Sequence, residues 1–402
     1  MRTNTKLGTA ALALLLATSG QAANAPLQDL FFAACVNPQA NLAVRCAQTT
    51  GGLGDLSSDS ESSLNPSQGL GSANGRRQAL EDVVNGARDN LELAERVDSG
   101  PFSLLLNVVQ SETEYDRRVD LDSERGQERD DQALDIGFDY RVSDRWVMGA
   151  LVQMQRQEVT YERELAGLNF SPSGAAGTVD TDAMGLLVYV SRTLGASGYL
   201  DVSLSHTRSS QEFTRNALFQ ENTRTLAPVA VRTEGQTDGV ENALHISTGL
   251  SITRGGWDVQ PFASASVIRA RVDDFTEADL SNSGLAMAFD MDANDTALAS
   301  LGARISRAFS FSGGVIVPSL RLQYTHPIDS EPATLNARYV NDLAGNSLNL
   351  SGTDFDEGYL DGALAVSFVL PGGWLPYLEV SATHGIEDVD RWRVSAGLRK
   401  EL

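Results

Sequence analysis

Long hydrophobic runs are scarce in this chain of 402 residues. Beyond residues 7–17 no stretch approaches the roughly 18 apolar residues that a membrane-crossing helix needs. If the mature chain sits in a membrane, it must therefore cross as a closed barrel. Basic charge is also short. The 31 Lys and Arg face 53 Asp and Glu, a formal net charge of −22 that repels nucleic acid, and no basic stripe overcomes it. Only two cysteines are present, Cys35 and Cys46, with Pro38 between them. No histidine lies nearby to complete a metal site, and in an exported chain such a pair forms a disulfide. Closing a loop of about 12 residues contributes roughly 3 kcal/mol by the chain-entropy argument. Cys35 is not a lipid-attachment residue, because the mostly polar residues 18–29 separate it from the apolar run.

What is present starts with an export signal. Arg2 and Lys6 precede the apolar run, and small residues around Ala22 and Ala23 offer cleavage sites. This predicts a signal peptide over residues 1–23.

Residues 100–402 then read as amphipathic strands. Leu244, Ile246, Thr248, Leu250 and Ile252 alternate with Ala243, His245, Ser247, Gly249 and Ser251. A strand inverts its side chains at every residue, so one face is apolar and the other small and polar. Leu134, Ile136, Phe138 and Tyr140 oppose Ala133, Asp135, Gly137 and Asp139 in the same way, and Trp392, Val394, Ala396 and Leu398 oppose Arg393, Ser395, Gly397 and Arg399.

Alternation alone also fits a soluble sandwich. Loop lengths decide between the two. Short connections near residues 141–145, 195–198, 254–256, 310–313 and 371–373 alternate with long polar ones near 116–132, 162–180, 211–238, 273–294 and 327–357. Short inner turns and long outer loops belong to an outer-membrane barrel, here of about twelve strands. Trp146, Trp257 and Trp374 follow short turns and Trp392 follows the last outer loop, where amphipathic rings meet headgroups.

Between signal and barrel, residues 24–74 form a short passenger-like segment. It ends in an extended linker over 49–74, rich in Gly and Ser and without apolar periodicity. Residues 75–99 differ: Leu80, Val84, Ala87, Leu91 and Ala94 stand at helical spacing between charges of both signs. A helix of about 22 residues is about 33 Å long, close to the roughly 30 Å hydrocarbon thickness, and it can thread a medium barrel. Its arginines would meet the lumen-facing Asp135, Asp139, Asp201, Asp361 and Glu379. Its acids would meet Arg304, Arg321, Arg393 and Arg399.

In residues 76–402 the chain resembles the autotransporter β-domain family, the translocators of type V secretion. The carriers are Gly-Phe-Asp-Tyr-Arg-Val-Ser-Asp at 137–144, Gly-Thr-Val-Asp-Thr-Asp at 177–182 and Gly-Gly-Val-Ile-Val-Pro at 313–318. Leu-Pro-Gly-Gly-Trp at 370–374 and Ser-Ala-Gly-Leu-Arg at 395–399 complete them. The resemblance implies an all-β fold, a twelve-stranded antiparallel transmembrane β-barrel with an N-terminal α-helix threading the lumen. It also implies a cell-surface position for whatever precedes the helix, and assembly by the barrel-insertion machinery in the outer membrane of a Gram-negative bacterium.

The chain departs from the family pattern in its short passenger-like segment, in lacking an Asn-Asn pair where some relatives cut themselves, and in ending on Leu402 rather than Phe. The expected function is a translocator-type barrel displaying a short N-terminal segment, with a passive diffusion pore or a barrel hydrolase as alternatives. Enzymatic chemistry finds little purchase. Ser57 in Gly-Asp-Leu-Ser has no fold to supply a base, and His384 near Glu387 and Asp388 is the one conceivable acid-base pair. Asp120-Leu-Asp122-Ser-Glu124 and Asp290-Met-Asp292-Ala-Asn294 imitate calcium loops, but each lacks the turn glycine and the closing glutamate. No cofactor and no metal are expected. The expected partners are outer-membrane lipid and the insertion machinery, with no nucleic acid and a monomeric chain.

Overall fold

A computed structural model describes residues 25–49, 77, 78, 80, 81, 100–115, 127–161, 170, 171, 175, 177–221, 223, 225–330, 334–351, 358–386 and 389–402. The expected linker over 49–74 lies outside them apart from Thr49, as does most of the expected helix over 75–99.

Twelve long strands close a single antiparallel barrel. They are β1 (Phe102–Tyr115), β2 (Gln127–Ser143), β3 (Trp146–Tyr161), β4 (Thr178–Leu194), β5 (Gly198–Phe219) and β6 (Val229–Leu250), followed by β7 (Trp257–Val272), β8 (Asn294–Arg307), β9 (Gly314–Ser330), β10 (Tyr359–Val369), β11 (Trp374–Ile386) and β12 (Val389–Glu401). Each pairs with its neighbour in sequence, and β1 pairs with β12 from Ser103↔Glu401 to Tyr115↔Val389. That last ladder removes every sheet edge, the condition for burying backbone in hydrocarbon.

The period-2 reading assigns the faces. Leu134, Ile136, Phe138, Leu244, Ile246, Leu364 and Val380 point outward, whereas Asp135, Asp139, His245, Ser247 and Ser381 are turned inward. Arg192 lies 4.8 Å over the Trp146 ring, Arg307 5.2 Å over Trp257 and Lys400 5.1 Å over Trp374. Cation and amphipathic ring thus share the short-turn rim, a headgroup-level girdle.

The outer end carries structure that alternation did not announce. Phe275–Thr276, Met287–Met291, Thr334–Tyr339 and Leu348–Ser351, all from two long loops, form a separate four-stranded antiparallel sheet. Two short helices, α1 (Ala25–Ala34) and α2 (Ala40–Gln48), lie against it. Among the described residues no helix is long and apolar enough to cross a membrane.

Candidate functional site: the lumen and its outer mouth

The lumen holds one helical turn of the segment that precedes β1. Arg77, Gln78, Leu80 and Glu81 are helical, and each is at most 5% exposed. Spacing of four residues puts Arg77 beside Glu81, 2.8 Å apart, and both then reach the wall. Arg77 donates to Asp361 of β10 and packs over the Tyr359 ring. Gln78 donates to the same carboxylate at 3.1 Å. Glu81 accepts from Gln323 at 3.0 Å and from Ser264 at 3.3 Å, and pairs with Arg321 at 3.4 Å. Leu80, fully buried, sits in an apolar cluster with Val147, Leu151, Leu187, Ile268 and Leu298. The turn is thus held by charge on the β9–β11 side and by packing on the β3–β8 side.

Not every wall charge named from the sequence meets this turn. Asp361 and Arg321 do. Glu379 instead pairs with Arg321 at 3.2 Å, Asp139 pairs with Arg399 across the β1 strand and accepts from Tyr189, and Asp135 accepts from Asn107 and Gln153, both at 2.9 Å. Asp201 accepts from Ser191 at 2.6 Å. Arg393 is buried and Arg304 half-buried, and neither is without a partner. Among the described residues, several of these charges therefore brace wall to wall. Sequence reasoning missed Gln323 and Ser264, which meet Glu81, and Thr383, which donates to Asp361 at 2.6 Å; their neutral side chains gave no cue that they faced a charge. His245, fully buried, shares a hydrogen bond of 2.8 Å with Ser266. His384 is exposed, and Glu387 and Asp388 lie outside the described residues, as do Ser57 and the residues around Asp120.

The outer mouth is built from the segment before residue 50. Cys35 and Cys46 form the expected disulfide, Cα atoms 5.4 Å apart, and this ties α1 to α2. Leu30, Phe31, Ala34, Leu42 and Cys46 pack on Phe275, Met287, Phe289, Leu335 and Tyr339 of the outer loops and on Tyr161, Phe213, Phe219 and Val231 at the outer ends of β3, β5 and β6. Backbone bonds fix the register: Gln39 N–H to the Asn341 carbonyl at 2.9 Å, and Leu343 N–H to the Asn37 carbonyl at 3.2 Å. The Arg45 guanidinium reaches the Ser283 carbonyl and lies 5.4 Å from the Phe219 ring centroid.

A buried ion pair anchors the outer sheet to the barrel. Arg215 of β5 donates to Glu277 and to the Leu285 carbonyl, and Glu277 also accepts from the Met287 amide. Both side chains of the pair are almost fully buried, which strengthens their mutual attraction. Burial raises the Asp279 pKa, while the Ser283 and Gly284 amides and the Ser281 and Ser283 hydroxyls bring it below the usual carboxylate range. Hydrogen bonds from Thr223 and Thr225 hold Glu221 at about 2.

A barrel closed by twelve strands, a helical turn in its lumen and the preceding chain at its outer mouth is the geometry of one secretion architecture. The family model for the autotransporter β-domain matches residues 109–381, well over half of the chain. The chain belongs to the autotransporter β-domain family. As a member of it, the chain resides in the Gram-negative outer membrane, where barrels of this kind are placed by the barrel-assembly machinery. The fold is similar to the translocator domain of autotransporter NalP from Neisseria meningitidis, with a TM-score of 0.56 at 14% identity, over 81% of this chain and 97% of that one. The β-domain of the Bordetella autotransporter BrkA gives 0.48 at 16% identity, over 75% of this chain and 100% of that one. The transport unit of AIDA-I from Escherichia coli gives 0.49 at 10% identity, over 78% and 97%. No curated protein sequence matches the chain.

Proposed function

We propose that this autotransporter barrel carries its own N-terminal segment to the cell surface and keeps it there as a docked cap, without releasing an effector and without enzymatic chemistry of its own. Residues 75–99 form the helix that threads the lumen, and the protein acts as a monomer. One observation carries the reading. The chain is at the outer mouth at Gln48, inside the barrel at Arg77–Glu81, and at the short-turn rim at Gly100, whose carbonyl accepts from Arg141. That order of positions supports passage through the lumen. The ion pairs and apolar packing around Arg77, Leu80 and Glu81 then favour a stopped strand of chain over an open diffusion pore.

A protease-cleavable tag at Ser60 tests it in intact cells. Cleavage by protease added outside is expected. Protection until the outer membrane is permeabilised would contradict surface display.

A further inference from the structure

Basic side chains on the lipid face gather on one side. Above the outward apolar residues Met154, Met184, Leu186, Leu204 and Val267 stand Arg156 of β3, Arg208 of β5, and Arg269 and Arg271 of β7, all exposed. The register sets them side by side. Met154 pairs with Met184, Met184 with Arg208, Arg208 with Val240, and Val240 with Arg271. Arg208 and Arg271 are thus two strands apart, about 10 Å, and Arg269 lies two residues from Arg271 on the same face, about 7 Å. At the corresponding outer edge, β9, β11 and β12 present His326, His384, Asp390 and Trp392, while β1 and β2 present Gln110 and Gln132. The arginines therefore mark one arc of the circumference.

This arc runs against the composition of the chain. With a net charge of −22 and acidic outer loops, a cluster of cations at the upper margin of the hydrocarbon band needs an anionic neighbour. The acids beside it engage only part of it. Asp295 lies 3.5 Å from Arg269 and Asp273 lies 4.0 Å from Arg271, in pairs more than half exposed. Asp182 stands directly opposite Arg156 on β4 and Asp238 lies on β6 within the arc, yet Arg156 and Arg208 make no ion pair among the described residues. The chemistry of the cation matters too. The chain has two lysines, Lys6 and Lys400, so its basic charge is almost all guanidinium, whose planar fork binds phosphate oxygens in pairs.

We infer that the outward face of β3–β7 is a docking surface for a phosphorylated glycolipid of the outer leaflet. Its acyl chains would lie on Met154, Met184, Leu186, Leu204 and Val267, and its headgroup phosphates would bridge Arg156 and Arg208 on one side and Arg269 and Arg271 on the other. The side chains face lipid in a closed ladder, so replacing them leaves the barrel wall intact.

The test uses the full chain folded in detergent, with bis-phosphorylated lipid A and its fully dephosphorylated form as probes, and bound lipid counted by native mass spectrometry. Wild type is expected to retain the phosphorylated form with an affinity on the order of ten-fold or more above the dephosphorylated one. The triple variant Arg156→Gln, Arg208→Gln, Arg271→Gln should lose that preference, while His326→Gln, His384→Gln on the opposite side should keep it. Excess inorganic phosphate should not displace the lipid, since the acyl chains supply part of the binding. Heat-modifiable migration on gels confirms that each variant is folded. Equal retention of both lipids by wild type, an unchanged preference in the triple variant, or full displacement by inorganic phosphate would each overturn the assignment.

Discussion

Gly284 shows how one residue decides whether the cap can dock. Its φ is +85°, a region that side chains disfavour, and a Cβ there would collide with the backbone of Asn41 and Leu42 in α2. Gly284→Ala should therefore loosen α1 and α2 without touching the barrel. Outside protease should release the N-terminal segment faster than from wild type, while heat-modifiable migration stays the same; unchanged protection would show that the loop is not what holds the cap. On the lipid face, depth governs the cost of charge. Ile246 points outward, and Leu250, on the same face, lies four residues nearer the short-turn end of β6. Ile246→Arg should cost about 2–4 kcal/mol and Leu250→Arg about 0–1 in a reversible folding assay, because an interfacial arginine reaches headgroups. Equal costs would contradict the assigned depth. Residue faces were legible from alternation alone, since a strand that shows Leu244 and Ile246 to lipid must turn His245 and Ser247 inward. Partners were not, because period 2 tells which way Asp139 points and not that Arg399 waits two strands away.

At the scale of the element, the cap is the part that the sequence concealed. α1 and α2 have 10 and 9 residues, too short for a helical period to stand out, although Leu42, Arg45 and Cys46 share a buried face. The outer sheet hid in loops whose polar composition masked strands of two to six residues such as Thr334–Tyr339. The cysteine pair was the legible trace, because oxidation and spacing needed no fold to be read. Reduction of Cys35–Cys46 should remove roughly 3 kcal/mol from the cap. Faster hydrogen exchange is then expected in α1 and α2 with unchanged exchange in β1–β12, and loss of protection throughout would mean that cap and barrel are one cooperative unit. Acid should loosen the outer loops by a separate route. Glu221 and Asp279 have folded pKa values below the unfolded ones, near 2 for Glu221, so their stabilisation is full above about pH 4 and is lost as pH falls toward 2. Exchange of residues 221–226 and 279–285 should rise as pH falls from about 4 toward 2; exchange that stays flat would exclude these carboxylates as latches.

For the whole molecule, strand number, closure and membrane were readable because each depends on physics repeated along the chain: alternating faces, loops sorted by length, tryptophans at strand ends. What happens inside the barrel depends on single contacts that occur once, such as Arg77 to Asp361 and Glu81 to Arg321 and Gln323. The central claim is that the chain itself occupies the pore on its way to the outer mouth. Planar-bilayer conductance of the full chain, set against a variant lacking residues 76–97, addresses this most directly. The account predicts little steady conductance in the intact protein and a large, stable one after the deletion, with the barrel still inserted because its strand ladder closes without the helix. A large conductance already present in the intact protein and unchanged by the deletion would contradict it.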